Sequence, residues 1–260
     1  MSIDIPAVIL AGGLGTRIRE ETEFKPKPMV EIGGKPVLWH IMKHLSHFGI
    51  NRFIIAIGYK GDVIRDYFLN YKARNNDFTV ALGKTNELNF HSEHLESRWQ
   101  VTVVETGAET NTGGRVSRIK KYVAGEDFLC TYGDGLADVD ILSLYQFHLK
   151  HRKTATITAV RPVSRFGVLD IDSQNQVISF KEKPQTDGWI NGGFFIFTSS
   201  IFGKLDENVV LENEPLQALA QEGQLAAFKH EGFWQPMDTF RESKLLNNMW
   251  ESNTAPWKVD

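Results

Sequence analysis

The chain of 260 residues holds one cysteine, Cys130, which excludes an internal disulfide and fits a reducing cytoplasm. Its neighbours Phe128, Leu129 and Thr131 belong to an apolar run, so Cys130 reads as a small core residue in a buried strand. No apolar run approaches the ~20 residues that span a bilayer. The N-terminus lacks a basic segment followed by an apolar core, so neither a membrane helix nor a secretory leader is expected. Net charge is also nearly absent, at −3 from 29 basic and 32 acidic residues. That balance argues against nucleic acid as a partner and leaves any phosphate recognition to local placement of Lys and Arg. Internal repeats, low-complexity segments and linkers are missing. Two common glycine motifs are missing as well. A Walker A loop would end in Gly-Lys-Ser/Thr, and the dinucleotide fingerprint needs a third glycine where Ile18 stands.

What the chain does have is Val8-Ile9-Leu10-Ala11-Gly12-Gly13-Leu14-Gly15-Thr16-Arg17. A buried strand ends there in a loop of nearly bare backbone, whose N–H groups can approach an anion closely. Arg17 adds a planar fork of donors matched to phosphate oxygens. The stretch reads as the floor of a nucleotide site.

Downstream, short apolar runs alternate with helical patterns. Strands are predicted at Pro6 to Leu10, Phe53 to Ile57, Val101 to Val104 and Phe128 to Thr131. Helical faces are predicted over Val37 to Phe48, with Gly49 as the stop, over Val63 to Tyr71, and from about Val116 to Tyr122. This alternation predicts an α/β fold, a Rossmann-like, mixed and mostly parallel sheet flanked by helices. Ligands of such sheets bind beyond the carboxyl ends of the strands. Asn86 to Gln100 breaks the pattern and is expected to be an insert or flap outside the core. The second half is richer in strands: Thr154 to Val160, a hairpin of Val168 to Ile171 with Val177 to Phe180 around Ser173-Gln174-Asn175, and Phe194 to Phe197. A helix is predicted over Phe240 to Trp250. One continuous domain over 1–260 is expected, with a nucleotide-binding half to about 135 and a sugar-phosphate half from about 136.

Lys25-Pro26-Lys27-Pro28-Met29 follows the glycine loop, and its alternating prolines are expected to hold an extended segment that aims Lys27 at a fixed place. Asp134 lies between Gly133 and Gly135 at the end of a strand, a placement suited to Mg²⁺, which takes few carboxylates and substrate phosphates as ligands. Asp238 sits in an aromatic and proline-containing loop, as a second carboxylate for the metal or as the N-cap of the last helix. Glu182-Lys183-Pro184 and Asn191-Gly192-Gly193 offer groups suited to sugar hydroxyls and a sugar phosphate. His40, His44 and His47 share a helix face without a matching fourth ligand, so they read as solvated histidines and not as zinc ligands. Asp138-Val139-Asp140 matches the Asp-x-Asp signature of metal-dependent glycosyltransferases but reads better as carboxylates at a helix start.

In their order and separations these motifs resemble those of the sugar-1-phosphate nucleotidyltransferases. Leu10–Arg17, Lys25–Met29, Gly33-Gly34-Lys35-Pro36, Tyr132-Gly133-Asp134-Gly135, Glu182-Lys183-Pro184 and Asn191-Gly192-Gly193 carry the resemblance. Thr112-Gly113-Gly114-Arg115, Arg165-Phe166-Gly167 and Gly232–Thr239 are similar to members that use CTP and α-D-glucose 1-phosphate. The resemblance implies a Mg²⁺-dependent transfer giving CDP-glucose, as supplied for the dideoxyhexoses of lipopolysaccharide O-antigen, by a homo-oligomer in which hexamers occur. It implies nucleotide contacts from Leu10, Ala11, Gly12, Gly13, Gly15, Thr16, Arg17, Lys27, Thr112, Gly113, Arg115 and Gly133. Arg17, Lys27 and Asp134 are the implied catalytic residues, and Asp134 and Asp238 the implied metal ligands. Glu182, Lys183, Asn191 and Gly192 are the implied sugar-phosphate contacts. UTP or dTTP in place of CTP, and a regulatory homologue without turnover, are the competing expectations.

Overall fold

The computed structural model describes residues 3–13, 15, 22–83, 87–92, 96–123, 125–164, 166–182 and 185–259. Strand β1 (Ala7–Ala11) is buried along its whole length, which is why it reads as an unbroken apolar run. After it come helix α1 (Val37–His47), strand β2 (Arg52–Ile57), helix α2 (Gly61–Leu69), strand β3 (Gln100–Glu105), helix α3 (Thr112–Arg118) and strand β4 (Phe128–Tyr132). Helix α4 (Ile141–His151), strands β5 (Ala155–Val160) and β6 (Ile190–Phe197), helix α5 (Glu214–Gln221), strand β7 (Leu225–His230) and helix α6 (Phe240–Glu251) follow.

The seven strands form one sheet in the order β7-β5-β6-β4-β1-β2-β3. Strand β1 runs parallel to β2 and β4, β2 to β3, and β5 to β7. Strand β6 runs antiparallel to both β4 and β5. The sheet is therefore mixed and mostly parallel, as the alternation predicts. From β1 the chain builds outward through β2 and β3, then returns to place β4 on the other side of β1. The β1/β4 junction is a topological switch point, where strand ends diverge and leave room for a ligand. Gly133 N–H donates to the Leu10 carbonyl at 3.0 Å and holds those two strand ends together.

Successive residues of β1 serve opposite layers. Ile9 packs in the cluster that holds Leu38 and Ile41 of α1, while Val8 and Leu10 belong to the cluster of Ile54, Cys130 and Phe195. Cys130 is a buried free thiol, and burial raises its pKa. Among the described residues no helix is long and apolar enough to cross a membrane.

Several local expectations are corrected. His40 and His44 are buried, not solvated. Each has its Nε2 bonded to a main-chain carbonyl, of Ile32 at 2.8 Å and of Val139 at 2.9 Å. Those carbonyls make an imidazole acceptable on the core face of α1. Lys27–Met29 is not extended but a short 3₁₀ turn, flanked by extended Pro26 (φ −70°, ψ 156°) and Val30 (φ −67°, ψ 136°). Pro28 fits the first turn because no N–H is needed there. Helix α3 begins at Thr112, four residues before the predicted start, since two glycines of low helix propensity hide its first turn. The helical face ending at Tyr71 is two helices, the second being Tyr71–Asn75. Part of the polar insert is a strand, Glu87–Phe90, paired with Phe78–Ala81 in an exposed hairpin. Asp140 does cap α4, accepting from Ser143 N–H at 2.9 Å. The N-cap of α6 is Thr239, in a capping box with Glu242, and not Asp238.

Candidate active site

Beyond the ends of β1 and β4 lies a cavity of about 660 Å³. One wall is built by Leu10 and Ala11 at the end of β1 and by Gly13 and Gly15 of the glycine loop, with Thr112 and Arg115 of α3. Gly12 stands behind this wall. A Cβ there would lie 2.1 Å from an Arg115 guanidinium nitrogen, so glycine is required by the close approach of that side chain. Arg115 is buried, and its donors go to main-chain carbonyls at the ends of three strands. It reaches Gly12 O at 2.8 Å, Gly107 O at 2.8 Å and Ile57 O at 3.2 Å, with Thr106 Oγ1 at 2.7 Å. The guanidinium thus fixes the loop's floor, in place of an ordered set of N–H partners that the irregular backbone does not supply.

The charged centre is Lys27. Its Nζ donates to Asp134 Oδ2 at 2.5 Å and also to Asp238 Oδ1. Local structure accounts for the meeting. The Lys27 turn closes through Met29 N–H to Pro26 O at 2.8 Å. Pro28 packs so tightly on Gly133 that a Cβ there would be 2.8 Å from its Cγ. Trp234–Pro236 pairs antiparallel with Gly135–Ala137, and Met237 N–H donates to Asp134 O at 2.8 Å, which carries Asp238 beside Asp134. Burial pulls the Lys27 ammonium down, yet the two aspartates outweigh it and hold its pKa above the ordinary lysine value. The lysine is therefore a fixed cation facing two carboxylates.

The opposite wall is made by Tyr132, Asn191, Gly192, Phe194 and Trp234. Trp234 Nε1–H donates to the Gly192 carbonyl at 2.8 Å, fixing the indole against β6. Of the residues expected from sequence, Leu10, Ala11, Gly13, Gly15, Lys27, Thr112, Arg115, Gly133, Asp134, Asn191, Gly192 and Asp238 line this one cavity. Gly113 is turned instead toward Val209, and Glu182 lies at the end of the exposed hairpin, outside the lining. Thr16, Arg17 and Lys183 lie outside the described residues. The sequence reading overlooked the Tyr132 hydroxyl and Thr110 and Asn111 before α3, because nothing in residue type separates them from ordinary polar loop positions.

Among the described residues no three His, Cys, Asp or Glu side chains gather as a metal-binding group. Two carboxylates converging on one cation are nonetheless a donor set suited to Mg²⁺, whose remaining ligands come from phosphates and water.

Comparison with known proteins follows the geometry. A family model described as nucleotidyl transferase matches residues 6–239. A glucose-1-phosphate cytidylyltransferase of Salmonella typhi is 54% identical over 256 residues, covering 97% of this chain and 98% of the relative. A probable glucose-1-phosphate cytidylyltransferase of Bacillus subtilis is 43% identical over 255 residues, covering 97% and 99%. Among solved structures, HddC from Yersinia pseudotuberculosis has a TM-score of 0.70 at 26% identity, over 95% of this chain and 99% of that one.

Proposed function

The chain belongs to the nucleotidyl transferase family, and from that premise we propose that it transfers CMP from CTP to α-D-glucose 1-phosphate, giving CDP-glucose and pyrophosphate. The observation that carries this reading is the convergence of Lys27, Asp134 and Asp238 at the mouth of the glycine loop. The choice of CTP and glucose 1-phosphate is supported by the relatives' names at 54% and 43% identity.

A phosphate oxygen of the sugar phosphate attacks the α-phosphorus of CTP in line, and the bond to pyrophosphate breaks. The nucleophile is already an oxyanion at neutral pH, so no side chain needs to remove a proton from it. Positioning and charge neutralisation do the catalysis. Gly13 and Gly15 bring main-chain N–H groups to the phosphates, Lys27 neutralises charge near the α-phosphate, and Thr16 and Arg17 hold the outer phosphates. Thr112 and Gly113 belong to the nucleotide side, where Arg115 acts by keeping the loop in shape. Asp134 and Asp238 would hold Mg²⁺, which when bound supplies charge neutralisation at the phosphates. Asn191 and Gly192, with Lys183, receive the sugar phosphate. The segments 1–135 and 136–260 serve as nucleotide and acceptor halves of one domain. We place the enzyme in the cytoplasm, as a homo-oligomer, supplying CDP-glucose for the dideoxyhexoses of O-antigen.

³¹P NMR of the enzyme with CTP, glucose 1-phosphate and Mg²⁺ tests the reading. New diphosphate-ester signals together with free pyrophosphate are expected. Tight CTP binding with the sugar phosphate resonance unchanged would favour a regulatory protein instead.

A further inference from the structure

Behind the cavity a carboxylate outside the lining joins its two walls. Thr112 Oγ1–H donates to Glu212 Oε2 at 2.6 Å and accepts from Leu211 N–H at 3.0 Å. Tyr132 O–H donates to the other oxygen, Glu212 Oε1. Tyr132 in turn accepts from Asn191 Nδ2 at 3.2 Å, and Asn191 Oδ1 accepts from Gly193 N–H at 2.8 Å. Burial first, and Glu212 second, raise the pKa of the Tyr132 hydroxyl, so it keeps its proton.

The polarity of this chain has one solution. Gly193 N–H can only donate, which fixes the Asn191 amide with Oδ1 toward β6 and Nδ2 toward Tyr132. A carboxylate can only accept, which fixes both hydroxyls as donors to Glu212. Asn191 therefore has one N–H left to donate, while its Oδ1 is engaged by the main chain of β6. We propose that Glu212 is a positioning residue which, through Tyr132, presents Asn191 as a hydrogen-bond donor to an oxygen of the sugar 1-phosphate, and which independently anchors Thr112 on the nucleotide side. This rests on the functional reading above and adds a residue that touches neither substrate.

Substitution by glutamine separates the two branches. In Glu212→Gln the amide oxygen can still accept from Thr112, but the amide nitrogen meets the Tyr132 hydroxyl as a second donor. Tyr132 must then redirect its proton and share its lone pairs between two amide donors, which weakens its hold on Asn191 Nδ2, while Gly193 N–H still fixes which way the amide faces. Initial rates of the full-length enzyme, with one substrate varied at saturating levels of the other, should show KM for glucose 1-phosphate raised about tenfold. KM for CTP and the thermal midpoint should stay near wild type. Tyr132→Phe removes the link without touching Glu212 and should reproduce the effect; the double variant should be no worse than either single one. Should Glu212→Gln fail to fold, Tyr132→Phe carries the test alone. An unchanged acceptor KM in folded Glu212→Gln or Tyr132→Phe overturns the role of Glu212, as does an equal rise in both KM values. A wild-type enzyme that does not turn over glucose 1-phosphate overturns both this role and the function on which it rests.

Discussion

Lys27 lies 2.5 Å from Asp134 and also within hydrogen-bonding reach of Asp238, so one ammonium faces the two carboxylates we propose as metal ligands. Two consequences follow at this residue. Lys27→Met should lower kcat about a hundredfold or more, because a cation at the reacting phosphates is lost, while CD and thermal midpoint report an intact fold. It should also bind Mn²⁺ more tightly without nucleotide, as read by EPR, since the competing cation is gone; equal or weaker Mn²⁺ binding would contradict the shared use of these oxygens. His40 gives a different kind of outcome. Burial lowers its pKa to about 4, with Lys35 opposing its charge and Trp39, Trp250 and Trp257 packed around the ring. An unfolded imidazole takes up its proton near pH 6.5, so the stabilisation from neutral His40 is complete above that pH. It is lost as pH falls from 6.5 through 4, on the order of 3 kcal/mol. Urea midpoints measured across this range should fall less steeply in His40→Gln than in wild type. The burial of His40 and His44 was not legible from their spacing, because the carbonyls that receive them come from Ile32 and Val139, one of them far along the chain.

Strand β1 and the loop after it show what an element can display in sequence. Its apolar run ends in glycines that only a bare-backbone turn requires, and the fold puts that turn at the β1/β4 switch point. The partner that makes Gly12 necessary, Arg115, comes from α3, whose glycine-rich first turn hides it. Gly12→Ala should push the guanidinium off its ring of carbonyls. We expect a loss of about 2 kcal/mol or more in urea unfolding and a CTP KM raised about tenfold. Arg115→Met combined with Gly12→Ala should add little further to either, because both changes break one contact. Strand β7 and helix α5 escape the sequence pattern for another reason. Half-buried and lying at the sheet edge, β7 shows neither an unbroken apolar run nor strict alternation, so only its parallel pairing with β5 identifies it.

For the whole molecule, a net charge of −3 must be reconciled with two polyanionic substrates. The reconciliation is local, since bare main chain and Lys27, with Arg115 behind the loop and Asp134 and Asp238 beside the lysine, are gathered where the strand ends diverge. One sheet runs through the chain, so the two walls of the cavity are held by neighbouring strands β1, β4 and β6. The ordered motifs in the sequence made the fold class and most of the cavity lining readable. The connection through Glu212 was not, because it depends on side chains brought together across 80 and 100 residues. The central claim is tested most directly by pyrophosphate release with glucose 1-phosphate and Mg²⁺, supplied in parallel with CTP, UTP, dTTP, ATP or GTP. We expect strong preference for CTP and loss of all release on adding EDTA. Release that prefers another nucleotide, or that survives EDTA unchanged, would contradict the account.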